Sequence, residues 1–145
     1  MAKRPIFREE DFPEPGTVFL APTSNGRIAA GRVLRRAVMD RSAIALIAAS
    51  PWIGDTPPAL VLPALKDTLV LNHHSWKGQE ELLWVSEPMP PTWQILGQIE
   101  LSNKDLKAAC DTYGGWGSVP LQALLQWRWD HDRDALLEEE TRKAA

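Results

Sequence analysis

The sequence predicts an α+β domain: a strongly bent antiparallel sheet of about six strands, with SH3-like or barrel-like closure, packed by one short and one longer C-terminal helix. Three observations carry this expectation. Gly16 to Arg36 reads as a β-hairpin with an Asn25-Gly26 turn. Strand-length apolar runs, separated by proline and glycine signals, continue as far as Leu101. Beyond Ser102 the hydrophobic period changes to that of a helix.

Residues 1–15 are polar and rich in proline, and we expect a mobile or loosely docked arm. Residues 16–145 then form one domain, mainly β over 16–101 and mainly α over 102–145. In the first strand, Thr17 to Ala21, apolar Val18 and Leu20 alternate with Thr17 and Phe19. Asn25-Gly26 accepts the positive φ of a tight turn, and Arg27 to Leu34 returns. Gly31 interrupts that strand where a bulge or a close backbone approach would sit. Ser42 to Ala49 is apolar on both faces; its composition also suits a short buried helix, but its isoleucines and the Ser50-Pro51 stop favour a strand.

Pro51 to Pro63 reads as loop, with a short pairing at Ala59 to Leu62. Asp67 to Asn72, Glu81 to Ser86 and Thr92 to Leu101 complete the strands. Ser102 is a good N-cap, with Asp105 at the third helical position, for a short helix over Lys104 to Cys110. Tyr113 to Ser118 is a glycine-rich loop bearing Trp116. A last helix starts at Ser118-Val119-Pro120, with Leu121, Leu124, Leu125, Trp129 and Leu136 on one stripe. Arg128 and Asp132 fall inside that stripe: either they pair at the edge of the core, or the packed part ends near Trp129.

The bulk numbers suit a soluble globular chain of 145 residues, 44% hydrophobic and 24% charged. Cys110 is the single cysteine, which excludes an internal disulfide and fits a reducing compartment. The start lacks the apolar run of a signal peptide, and no stretch is long enough for a membrane helix, so a cytoplasmic location is expected. The net charge of −3 conceals an asymmetry, because residues 1–41 carry +3 and residues 42–145 carry −6. Seven tryptophans are present, a residue that serves cores and interfaces equally well.

Catalytic motifs are missing from the sequence. There is no G-x-S-x-G, H-E-x-x-H, P-loop or G-x-G-x-x-G pattern, and the glycine-rich run at Tyr113 lacks the lysine of a phosphate loop. His73 and His74 are adjacent, so on a strand they point to opposite faces; in a turn they could converge, but no cysteine lies near. His131 lies among Asp130, Asp132 and Asp134 and reads as an exposed histidine. We expect no cofactor, no metal and no enzymatic activity. Arg27, Arg32, Arg35, Arg36 and Arg41 cluster on and after the first hairpin. An alternative function follows: a small β-barrel adaptor that binds nucleic acid or peptide through Arg32, Arg35 and Arg36. A pI of about 5.6 opposes affinity that rests on neutralising phosphates.

The first hairpin also carries a resemblance. Gly16, Val18 and Phe19, followed by a polar turn and the return through Gly31, Arg32, Val33 and Leu34, resemble bacterial polymorphic-toxin immunity proteins of the immunity protein 26 type. The later tryptophan-rich segment and the Tyr113-Gly114 loop are compatible with that layout. The resemblance implies a protein that binds and neutralises a cognate toxin domain, one encoded beside it, without catalysis. Trp52, Trp76 and Trp116, in loop-like segments, are the expected aromatic anchors of such an interface. The acidic run of Asp130, Asp132, Asp134 and Glu138 to Glu140 would steer and dock a basic toxin.

Overall fold

The computed structural model describes residues 5–144. The α+β class holds, and the sheet is open rather than closed into a barrel. Its six strands run in the order β7-β1-β2-β3-β6-β8. They are β1 (Thr17–Pro22), β2 (Ile28–Met39), β3 (Ser42–Gly54), β6 (Leu82–Val85), β7 (Gln94–Gln98) and β8 (Tyr113–Gly114). The short strands β4 (Val70–Leu71) and β5 (Gln79–Glu80) form a separate ladder. Neighbours in the main sheet are antiparallel except β8, which joins β6 in parallel and makes the sheet mixed. The helices are α1 (Asn103–Lys107), α2 (Ser118–His131) and α3 (Arg133–Ala144), so the one long C-terminal helix expected from the sequence is two. No helix among the described residues is long and apolar enough to cross a membrane.

The sheet is buried on both faces. On one, Phe19, Val33, Ala45, Ile47 and Leu83 meet Trp116, Val119 and Ala123 at the start of α2. On the other, Val18, Leu20 and Ala30 pack on Leu65, while Leu34, Leu46 and Ala48 pack under Leu82, Trp84 and Ala108. The alternation in β1 therefore separates two cores rather than core from solvent. Phe19 pairs with Gly31, where an added Cβ would lie 2.5 Å from the Phe19 ring. Glycine is required there by packing.

The first turn is longer than the tight one expected, and the tight turn lies at the second hairpin. Gly26 takes φ +82° within a longer loop closed by Thr23, whose N–H donates to the Arg27 carbonyl at 2.9 Å. The two-residue turn is Asp40-Arg41, at φ 51° and 73°, between paired Met39 and Ser42. β3 also runs through the Ser50-Pro51 stop, because Ser50 to Trp52 bulge out between the paired residues Ala49 and Ile53. A bulge needs no donor from Pro51. Ala59 to Leu62 forms a turn leading into a 3₁₀ segment at Pro63–Lys66 rather than a strand.

The arm is docked over its described part. Phe12 is buried in the main core, Phe7 stands edge-on to it, and the Ala43 N–H donates to the Phe7 carbonyl at 2.8 Å. Residues 1–4 of the expected mobile arm lie outside the described residues.

On the second face, Arg32 is 1% exposed and lies between the two apolar clusters. Its Nε and Nη2 donate to the two carboxylate oxygens of Asp105 at 3.1 and 2.7 Å. Nη1 donates to the Asp67 carbonyl at 2.7 Å, and Nη2 also to Thr68 Oγ1 at 2.9 Å. Asp105 is fixed in turn by the expected cap, its N–H donating to Ser102 Oγ at 3.1 Å. Removing one member of such a pair leaves a buried charge unpaired, whereas replacing both by apolar groups is often nearly neutral. Asp105→Ala is therefore expected to cost about 3–5 kcal/mol in urea unfolding, and Arg32→Met with Asp105→Leu to recover most of it.

Candidate partner-binding site at the α2–α3 break

α2 begins with Gly117 as its N-cap and with Pro120 in its first turn. Its buried face is Val119, Pro120, Ala123, Leu124 and Gln126, whereas Leu121 from the expected stripe is 55% exposed. Small Val119 and Ala123 let the helix approach the sheet. Gln126 is buried because its Oε1 accepts from the N–H groups of Asn72 and His73, at 2.6 and 3.0 Å. α2 ends at His131, and α3 restarts one residue later.

Of the two readings of Arg128, the pairing with Asp132 is the one observed. Arg128 meets Asp132 at 3.4 Å, and the helix stops there. Its Nη1 also reaches Glu139 of α3 at 3.0 Å, and Lys143 holds the same carboxylate at 3.2 Å. Hydrogen bonds from Arg128 and Lys143, with their charges, pull the Glu139 carboxyl below its ordinary value. Burial alone would lower Arg128, but Glu139 and Asp132 together outweigh it and push the guanidinium up.

A turn with His74 at φ +55° brings the two adjacent histidines together, Nδ1 to Nδ1 at 2.7 Å, with one ring donating to the other. His74 Nε2 contacts both Glu140 oxygens at 2.8 and 2.9 Å, and His73 Nε2 contacts Gln122 Oε1 at 2.7 Å. The pair thus ties its loop to α2 and α3. No group of three potential metal ligands occurs among the described residues.

These contacts divide the acidic run. Asp132, Glu139 and Glu140 are engaged by Arg128, Lys143 and His74. Asp130, Asp134 and Glu138 are exposed and form no ion pair among the described residues, although Asp130 accepts from Gln126 Nε2 at 3.1 Å. Asp130 and Asp134 line an open concavity of about 480 Å³ together with Trp129 and Arg133. Glu138 lies four residues beyond Asp134, on the same face of α3. Around this ridge the tryptophan faces are covered by cations, with Arg133 4.2 Å over Trp129 and Arg27 4.0 Å over Trp127.

The three expected aromatic anchors part company. Trp76 is 42% exposed and stands edge-on to His73, which joins it to the ridge through His74 and Trp129. Trp52 is half-buried against the Val18 and Leu20 cluster. Trp116 is 4% exposed, edge-on to Phe19, and its Nε1–H donates to the Glu87 carbonyl at 2.6 Å. It is a core residue, because β8 pairs with β6 and draws that glycine-rich loop onto the sheet.

The arginine face is not assembled. One extra residue bulges β2 between Val33 and Arg35, so Arg32 and Arg35 share the α1 face, opposite Ala48 and Leu46. Arg32 is buried, and Arg35 donates to the Leu106 carbonyl at 2.7 Å. Arg36 lies on the other face and donates to the Glu9 and Phe12 carbonyls. Strict alternation pairs Arg32 with Arg36; the bulge reverses that.

No family model matches the chain, and no curated protein or solved structure shows significant similarity to it.

Beneath the start of α2 lies a carboxyl that sequence reasoning did not single out. Glu81 is buried, and the Ser118 hydroxyl donates to its Oε2 at 3.0 Å. Burial raises its pKa from the ordinary 4.5, and the Ser118 bond offsets this in part. A carboxyl with a raised folded pKa gives stability that is full below its unfolded value and lost as pH rises through the folded one. Glu81→Gln is therefore expected to raise the urea midpoint at pH 7, with the gain vanishing as the pH is lowered below about 4.5.

Proposed function

We propose that this chain is an immunity protein that binds a cognate bacterial toxin domain one-to-one and neutralises it by occupation rather than by catalysis. It acts in the cytoplasm of the producing cell, on a toxin encoded beside it. The observation that carries the docking site is the division of the acidic run. Asp130, Asp134 and Glu138 stay open on the ridge, while the carboxylates beside them are engaged within the fold. Open carboxylates along this helix pair suit a basic partner, because complementary charge raises the encounter rate and fixes orientation. Trp76, at the margin of the ridge, supplies exposed aromatic area. A standard interface takes roughly 800 Å² from each partner, about a tenth of the 8807 Å² surface of this domain.

Co-expression with the toxin domain encoded beside it is expected to rescue a sensitive bacterium and to yield a stable complex; no rescue and no complex would overturn the reading. Asp130→Lys, Asp134→Lys and Glu138→Lys combined should slow association at low salt by about tenfold or more and flatten its salt dependence. Unchanged association rates, measured by stopped flow, would place docking elsewhere on the molecule.

A further inference from the structure

α2 and α3 are joined by the single residue Asp132, and the chain from Arg128 to Leu136 contains neither glycine nor proline. No glycine or proline forces a break, although Asp132, whose carbonyl accepts from the Leu136 N–H at 3.1 Å, is a residue type that favours a helix start. The break leaves polar groups without partners. Asp132 Oδ1 is buried with no hydrogen-bond partner among the described residues. The N–H groups of Arg133, Asp134 and Ala135 open α3 and lack the helical bonds that a continuous helix would give them.

What holds α3 down is tertiary. Leu136 is buried, Glu139 meets Arg128, and Glu140 meets His74. The two ion pairs join α3 to separate segments, Arg128 on α2 and His74 in the connection between β4 and β5, so the α3 of another copy can make the same contacts. We propose that the chain dimerises by exchanging α3. In the dimer, residues 118–144 of each copy form one continuous helix of about 40 Å. The α3 half then docks on Arg128 and His74 of the second copy. Asp132 remains four residues from Arg128 on that helix, so their ion pair is kept.

The exchange reproduces the docking contacts of the monomer one for one. It adds the helical hydrogen bonds missing at the break and moves Asp132 Oδ1 to a helix surface. Against this stands the entropy of association, which makes the dimer concentration-dependent. A one-residue connector leaves little slack for the reversal that the monomer requires, and a short hinge of this kind favours exchange. The inference is independent of the toxin-binding reading.

The test is light scattering coupled to gel filtration over a concentration series. The full chain is expected to show a reversible dimer at high concentration. Asp132→Ala, which supplies a stronger helix former, should lower the dimer dissociation constant by about tenfold. Two glycines inserted after Asp132 should abolish the dimer. In a Cys110→Ser background, Ser75→Cys with Thr141→Cys places thiols beside His74 and Glu140 without removing either. A short bismaleimide applied to the isolated dimer should then link two chains on a denaturing gel. Circular dichroism confirms that each variant is folded. The proposal is overturned if folded Asp132→Ala stays monomeric at millimolar concentration, if the glycine insertion leaves dimerisation unchanged, or if the dimer cross-links only within chains.

Discussion

The buried pairing of Arg32 with Asp105 organises this fold more than any other polar contact. A guanidinium placed under the sheet between two apolar clusters would carry a desolvation cost of several kcal/mol if left alone. Here it meets both oxygens of one carboxylate, the Asp67 carbonyl and the Thr68 hydroxyl. That requirement fixes the second layer. α1 is five residues long, too short to stand by itself in water, and the Ser102 cap and the ion pair hold it in place. The same guanidinium anchors the segment that leads into β4. The face of the sheet opposite α2 is therefore covered by short, irregular pieces tied to one cation rather than by a long amphipathic helix.

Local signals are legible in the sequence, and long-range ones are not. Strand runs, the Ser102 cap, the change of period after Leu101 and the need for glycine at position 31 all depend on neighbours close in sequence or on side-chain size. Arg32 reads as part of a basic surface because its partner lies 73 residues away. Trp116 reads as a loop anchor because a parallel pairing as short as β6 with β8 leaves no periodic trace. The bulge after Val33 had the widest effect. One extra residue in β2 redistributes Arg32, Arg35 and Arg36 between the faces, and with them the case for a nucleic-acid surface.

The C-terminal helices pose the same problem in another form. Asp132 sits in helical register with Arg128 and Leu136, so the sequence from Ser118 onward reads as one helix. Tertiary docking overrides that preference. Within one chain, Glu139 and Glu140 reach Arg128 and His74 only when α3 turns away from the α2 axis. Composition placed the acidic run correctly but could not divide it. The division follows from where Arg128, Lys143 and His74 fall in space, and it decides which carboxylates are left to face a partner.

Two kinds of electrostatics are thereby separated. The Arg32–Asp105 pair is shielded from solvent, with side chains 2% and 8% exposed, so added salt barely reaches it. The ridge of Asp130, Asp134 and Glu138 lies in water, where charges further apart than about 8 Å are largely screened at physiological ionic strength. Fold and steering therefore respond differently to the same variable. Raising ionic strength weakens long-range attraction to a basic partner while leaving the buried pair, and the α1 layer it holds, in place. The ridge itself stands on α2 and α3, whose junction rests on the half-exposed Arg128–Glu139 and His74–Glu140 pairs, so salt reaches that junction although it spares the α1 layer.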